Sequence, residues 1–293
     1  MASQILAILF PMFALAGVGF FIALTLRIDF KPINRLNMDV FVSALVFSSL
    51  VDMDLNVNQL PLIAAGLIAI LLPALLMLPI CRVFKFAYKT WTPPHMFRNS
   101  GNLAIPLFYY TFGSSATAAA VLLFVLSAIV HITVGLGMLS KGNPLRLMCS
   151  MPVFWAALIA LGLNLAGIQV WPPALEAATL LGEPAVPVML VALGAQMVNL
   201  RFDGLAIGVV ATLQSLLTGA IAFGLIWLLI PLSTLHLQMM LLFAMLPPAV
   251  MNFLFAERFN IEPNKVAAIV LFSNFFCLFT LPILLTLAFG LSS

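Results

Sequence analysis

Apolar residues run almost without interruption along the chain, and polar or charged positions collect in short clusters between the runs. A membrane-spanning helix needs about 20 apolar residues. Runs of that order predict spans at roughly 5–26, 37–51, 60–81, 95–112, 117–139, 150–168, 176–198, 205–230, 236–256 and 265–289. One of these does not fit lipid. The segment 95–112 reads HMFRNSGNLAIPLFYYTF, with Asn99, Ser100, Gly101 and Asn102 in its first half and Pro106 in its middle. Proline removes a backbone donor and clashes with the preceding turn, and glycine loosens the helix. Backbone groups are thereby freed, which is tolerated at membrane depth only inside protein or around a cavity.

The chain matches itself weakly when shifted by 141 to 147 residues. Phe10-Pro11-Met12-Phe13 then meets Met151-Pro152-Val153-Phe154, Asp39 meets Glu183, and Val51-Asp52-Met53 meets Ala195-Gln196-Met197. Ser100-Gly101-Asn102 falls on Pro247-Pro248-Ala249, and Phe112 on Phe259. Two interruptions therefore occupy the fourth span of each five-span unit. Five is odd, so the second copy enters the membrane from the opposite side. The prediction is an all-α membrane protein of ten transmembrane helices, arranged as two five-helix inverted repeats (1–140 and 141–293) with crossed, broken helices 4 and 9. Interrupted spans at corresponding positions of two such halves point to a transporter's binding site.

Composition agrees and charge adds orientation. The 293 residues are 64% hydrophobic and 7% charged, against about 25% charged in soluble proteins; the mean hydropathy is +1.20. A second, soluble domain does not fit beside ten spans, and no nucleic-acid partner is implied. Met1–Gln4 carries no basic n-region and Ile5–Leu26 is long, so the chain opens on a first span and not a cleaved signal. All twelve Lys and Arg (Arg27, Lys31, Arg35, Arg82, Lys85, Lys89, Arg98, Lys141, Arg146, Arg201, Arg258, Lys265) fall on one side of the ten-span arrangement. The positive-inside rule makes that side cytoplasmic and leaves both termini extracytoplasmic, as in a protein of the inner membrane. Cys81, Cys149 and Cys277 are isolated, with neither metal-binding spacing nor an expected disulfide.

The stretches RNSGNLAIPL, VPVMLVALGAQM and AMLPPAVMNFLFAERFN resemble the auxin efflux carrier family of secondary transporters, in its bacterial branch, over nearly the whole chain. This family shares a broad fold group with bile acid/sodium symporters. The resemblance implies a scaffold of spans 1, 2, 6 and 7 and a moving core of spans 3–5 and 8–10, with the substrate between them near Asn99–Pro106 and Pro247–Asn252. It also implies a homodimer as one allowed assembly. Ser127 stands where plant members have a polar side chain facing the substrate. Plant members also have a large mid-chain loop, where this chain has only Lys141–Cys149, and a carboxylate in span 3, where Leu60–Cys81 has none. Bacterial members look like carriers of small carboxylates such as malonate or malate.

The candidate site residues are Asn99, Ser100, Gly101, Asn102, Pro106, Ser127, Pro247, Pro248, Ala249, Asn252 and Asn274. Half-helix N-termini offer unpaired N–H groups and a positive dipole end to a carboxylate, and Asn99 and Asn102 add amide donors. The plainer reading is that these side chains only recap the broken helices. No Lys or Arg is expected at mid-membrane, so amide and backbone dipoles would hold the anion. His131, in span 5, is the candidate for ion coupling by H⁺, with hydrogen bonding to a neighbouring helix as the alternative; Na⁺ is the other candidate ion. Asn274 repeats Ser127 at an offset of 147, as a flank of the crossing or as interhelical polar glue. Asp39, Asp52, Asp54 and Glu183 read as solvated or capping residues, Glu257 and Arg258 as a pair or a cytoplasmic face, and Pro73, Pro79 and Pro282 as kinks.

An intramembrane enzyme is the rival class, but no paired intraspan aspartates, Ser–His arrangement or HExxH motif is present. Channel filter motifs and charge rings are missing, as is a Walker A motif. The expectation is a carrier without metal or organic cofactor, moving a small organic anion across the bilayer. A sodium-coupled carrier of a larger amphipathic anion is the variant within that class.

Overall fold

The computed structural model describes residues 2–26, 28–53, 59–139, 144–199 and 204–291. Arg27, Asp54, Lys141, Arg201 and the junction expected at 140/141 lie outside the described residues. In chain order the α-helices are α1 (Ala2–Leu26), α2 (Phe30–Leu36), α3 (Val42–Val51), α4 (Leu60–Phe84), α5 (Tyr88–Met96), α6 (Ile105–Phe112), α7 (Thr117–Val130), α8 (Leu136–Leu139), α9 (Pro144–Cys149), α10 (Pro152–Leu165), α11 (Pro172–Gly182), α12 (Ala185–Gln196), α13 (Leu205–Leu229), α14 (Thr234–Met245), α15 (Met251–Arg258) and α16 (Pro263–Gly290). Among the described residues there is no strand.

Six helical stretches are long and apolar enough to cross a membrane: Ala2–Leu26, Leu60–Phe84, Ser114–Leu139, Pro172–Gln196, Leu205–Leu229 and Pro263–Gly290. The other four expected spans are shorter or interrupted. The second forms one helical path from Phe30 to Val51 through α2, a π-helical turn at Asn37–Phe41 and α3; the sixth is α10, of 14 residues. The fourth and ninth are each two half-helices, α5 with α6 and α14 with α15. The fourth begins earlier than its hydropathy predicts. Tyr88–Met96 is too polar for a lipid-facing helix, yet Thr90–Met96 is buried throughout, because protein and not lipid surrounds it. Pro73, Pro79 and Pro282 lie inside the continuous helices α4 and α16.

Packing follows the small residues. A Cβ at Gly19 would collide with the carbonyl of Val191, and one at Gly194 with the carbonyl of Ala16, so α1 and α12 touch backbone to backbone. Close approach through small residues is the way helices associate where lipid removes the hydrophobic drive. Gly194→Leu is expected to lower the stability of the purified protein by on the order of 3 kcal/mol, read as a drop in melting temperature in detergent. Gly162→Leu is the control, because a Cβ there meets nothing within 4 Å.

α3 packs against α10 and α11, while α4, α5, α14 and α16 surround α13. The end of α3 is closed by Asn164 of α10, whose Nδ2 is shared among the carbonyls of Leu50, Val51 and Met53 at 2.9, 2.8 and 2.7 Å. The last carbonyls of a helix have no intrahelical donor; here a neighbouring helix supplies one. At the start of α16, Glu262 accepts from Thr90 Oγ1 at 2.7 Å and pairs with Lys265. Lys265 and then Thr90 hold its carboxyl below the usual range, and the contact ties α5 to α16. Large apolar side chains such as Phe10, Trp155, Leu165, Leu228 and Phe279 face outward, as expected of surfaces that meet lipid.

Candidate functional site

The two interrupted segments satisfy each other. Helix α5 ends at Met96 and α14 at Met245, and Phe97 and Leu246 both turn extended. Their continuations cross as an isolated antiparallel bridge between Arg98 and Pro248. Asn99 donates its backbone N–H to the Pro247 carbonyl at 2.7 Å, and Ala249 donates to the Phe97 carbonyl at 2.9 Å. Pro247 and Pro248 have no N–H to leave unpaired, which suits them to this place. Asn252 Nδ2 then donates to the carbonyls of Phe97 (2.9 Å) and Ala249 (2.8 Å). Asn274 Nδ2 donates to Pro248 (2.9 Å) and Val270 (2.8 Å), while its Oδ1 accepts from Asn99 Nδ2 at 2.8 Å. Backbone groups that lipid could not satisfy are thus paired across the crossing.

Beside the crossing lies a cavity of about 170 Å³, bordered by Asn99, Ser100, Gly101, Asn102, Ser127, His131 and Ala249 among the expected residues. Three π-helical turns meet at its wall: Asn37–Phe41, Ser100–Ala104 and His131–Gly135. Each widens its helix by one residue per turn and re-aims the side chains there, a feature often found at functional sites. Periodicity does not reveal a π turn, so the sequence predicts plain helix at two of the three. Asn34, Asn37 and Gln196 also border the cavity and are absent from the expected set. The signal for the first two was available, since Asn34 and Asn37 are three apart and share a helix face. The Asn37 and Gln196 side-chain oxygens are buried without a hydrogen-bond partner among the described residues.

The two asparagines of the first break differ. Asn99 spends its amide N–H on Asn274, whereas Asn102 is half-buried at the cavity wall and its side chain makes no hydrogen bond among the described residues. Asn102 is therefore not occupied in recapping the helix. Pro106, Pro247, Pro248 and Asn252 do not border this cavity; the last three build the crossing, and Pro106 is buried in the first turn of α6. Asn274 borders a second, larger and almost wholly apolar cavity of about 300 Å³ between α1, α12 and α16. The Asn99–Asn274 hydrogen bond joins a residue of one cavity wall to a residue of the other.

His131 opens its π turn and is buried. Its ring stacks on Phe97 with centroids 3.9 Å apart and meets Phe255 edge-on at 5.1 Å. A Cβ at Gly135 would strike both Phe97 and His131, so glycine there leaves room for the stack. Nε2 has no hydrogen-bond partner among the described residues.

One expectation is overturned. Arg98 is not an exposed cation: it is 1% exposed and lies at the crossing. Its guanidinium donates to the hydroxyl of Ser215, to the carbonyls of Leu246 (3.3 Å) and Ser215 (3.2 Å), and to Thr218 Oγ1 (3.3 Å). Counting charges along the chain could not detect this, because the partners come from α13 and the end of α14, more than a hundred residues away. Arg35 and Asp39, by contrast, form an exposed pair at 3.4 Å. Asp52 and Glu183 are exposed, as are Glu257 and Arg258, whose guanidinium lies 5.8 Å from the Phe259 ring centroid.

Residues 143–285 match the family model described as membrane transport protein. No curated protein matches the chain. The matched part runs from α9 into α16 and contains the second break, Pro247-Pro248. With six apolar helices of spanning length, this makes the chain a multi-pass integral membrane protein and a membrane transporter.

Proposed function

Because residues 143–285 carry the membrane transport domain of the auxin efflux carrier family, we propose that the whole chain is a secondary transporter for a small organic anion, a carboxylate such as malonate or malate, working by alternating access. The observation that carries this reading is the crossing of two broken helices beside a cavity with unpartnered amides. Half-helix N-termini at Ser100 and Met251 bring positive dipole ends to that place, and Asn102 offers a donor with no other use. A cavity of about 170 Å³ is smaller than the roughly 300–1,000 Å³ of drug-sized sites, which favours a small substrate. The adjoining apolar cavity favours the second reading, a sodium-coupled carrier of a larger amphipathic anion whose apolar part would occupy it.

Ten spans in two inverted repeats are part of the proposal. Support comes from the order of elements: α4 and α13 are both 25 residues long, each is followed by a half-helix, an extended break and a second half-helix, and the breaks pair reciprocally. The division into scaffold and core is supported by the packing of α1 on α12 and of α3 on α10 and α11, apart from the group around α13. Orientation with both termini outside, in an inner membrane, rests on the basic residues other than Arg98.

Counterflow in proteoliposomes tests the function. Exchange of labelled malonate or malate without chemical conversion is the expected result; turnover of the carboxylate, or non-saturating current, would overturn it. Exchange restricted to a larger amphipathic carboxylate and dependent on Na⁺ would select the second reading. An inside-negative potential opposes anion entry by about 2.3 kcal/mol per charge per 100 mV, so uptake needs a coupled cation. His131 is the proposed carrier if that cation is H⁺. His131→Gln is then expected to flatten the pH dependence of uptake while leaving insertion unchanged; an unaltered pH profile removes His131 from coupling.

A further inference from the structure

Arg98 is a cation enclosed by the crossing, and among the described residues no carboxylate bonds to it. Its donors go to neutral oxygens only: Ser215 Oγ and O, Thr218 Oγ1, and the carbonyl of Leu246 at the end of α14. That carbonyl belongs to the negative end of a half-helix dipole, which offsets part of the charge. A burial of this depth is ordinarily paired, since an isolated ion in a low-dielectric interior is costly. The residue also borders the smaller cavity, next in sequence to Asn99 and Ser100 on its wall. The guanidinium itself turns away from that wall into α13, so it offers no direct bond to a ligand there. What it supplies is field: a fixed positive charge close to the cavity, poorly screened by solvent.

We propose that Arg98 is the specificity-determining counter-charge of the transported anion, acting through space from behind the crossing and selecting a negatively charged ligand over a neutral isostere. The proposal rests on the reading of the cavity as an anion site. It assigns the amides Asn102, Asn37 and Gln196 to hydrogen-bond geometry and Arg98 to charge. If the crossing moves with its ligand, a dianion such as malonate and Arg98 carry one net negative charge together, the empty carrier returns with one positive charge, and the membrane potential acts on both movements.

The test compares malonate with its uncharged diamide, malonamide, by thermal shift and calorimetric titration of the purified full chain. Arg98→Gln is expected to cut the preference for malonate over malonamide by about tenfold or more, and Arg98→Lys, which keeps the charge but loses the planar fork, is expected to keep most of it. Ser215→Ala with Thr218→Val should lower the melting temperature and leave the preference in place, because it removes the tie and not the charge. Ser215→Asp sets a carboxylate beside the guanidinium and should abolish the preference, and it carries the test if Arg98→Gln does not fold. Arg98→Gln or Ser215→Asp with wild-type preference overturns the counter-charge while the anion reading stands. Loss of preference in Arg98→Lys equal to that in Arg98→Gln also overturns it, in favour of a purely structural tie. A wild-type protein that binds malonate and malate no better than their amides overturns the anion reading and, with it, this one.

Discussion

Asn252→Leu is expected to destabilise the protein by about 1–3 kcal/mol, since the carbonyls of Phe97 and Ala249 each lose one of two donors, and to do so without adding or removing bulk elsewhere. One side chain closes both breaks, accepting nothing and donating to each. Each carbonyl keeps its backbone donor, Ala249 N–H on Phe97 O and Asn252 N–H on Ala249 O, so the loss is of the second donor and should show as a fall in melting temperature and as faster proteolysis in detergent. Asn252→Gln, which keeps the amide but lengthens the arm, should fall between the two. A leucine variant as stable as wild type would mean that the paired backbone, Asn99 to Pro247 and Ala249 to Phe97, holds the crossing unaided.

Asn102→Ala should have the opposite profile. Its side chain makes no hydrogen bond to the protein among the described residues, so truncation costs the fold little. Saturable uptake of the carboxylate should disappear, while membrane insertion and melting temperature stay near wild type. A hydrogen bond to a charged group contributes about 1.5–3 kcal/mol, equivalent to roughly a 10- to 150-fold weakening at about 1.4 kcal/mol per decade. Unchanged affinity in the alanine variant would take Asn102 out of the site. The pair of variants separates two roles that asparagines of the two breaks would otherwise share: Asn252 of the second keeps the backbone satisfied, and Asn102 of the first is free for a ligand.

Much of the local structure was legible because membrane solvent imposes a simple rule. Long apolar runs such as 60–81 and 205–230 must become helices, and in the structure they do, as α4 and α13. The breaks were legible for the same reason, since Asn-Ser-Gly-Asn and Pro247-Pro248 cannot continue a lipid-facing helix. Legibility stopped where protein replaced lipid. Tyr88–Met96 is too polar for a hydropathy criterion, and by its neighbours Arg98 reads as a surface cation, because nothing local shows that a polar segment will be enclosed. The π turns were missed because their signal is a register change of one residue, below the resolution of a periodic pattern.

That this chain is helical and membrane-embedded, and that two of its apolar stretches are interrupted, follows from the sequence alone, because hydropathy, proline and glycine act over a few residues and do not depend on partners. Only the tertiary structure decided what those interruptions do. It joins 97–99 to 247–249, brings Asn34, Asn37 and Gln196 to the wall beside Asn102, and encloses Arg98 against α13. These are contacts between segments more than fifty residues apart, selected by packing and by the need to pair the backbone groups that the breaks set free.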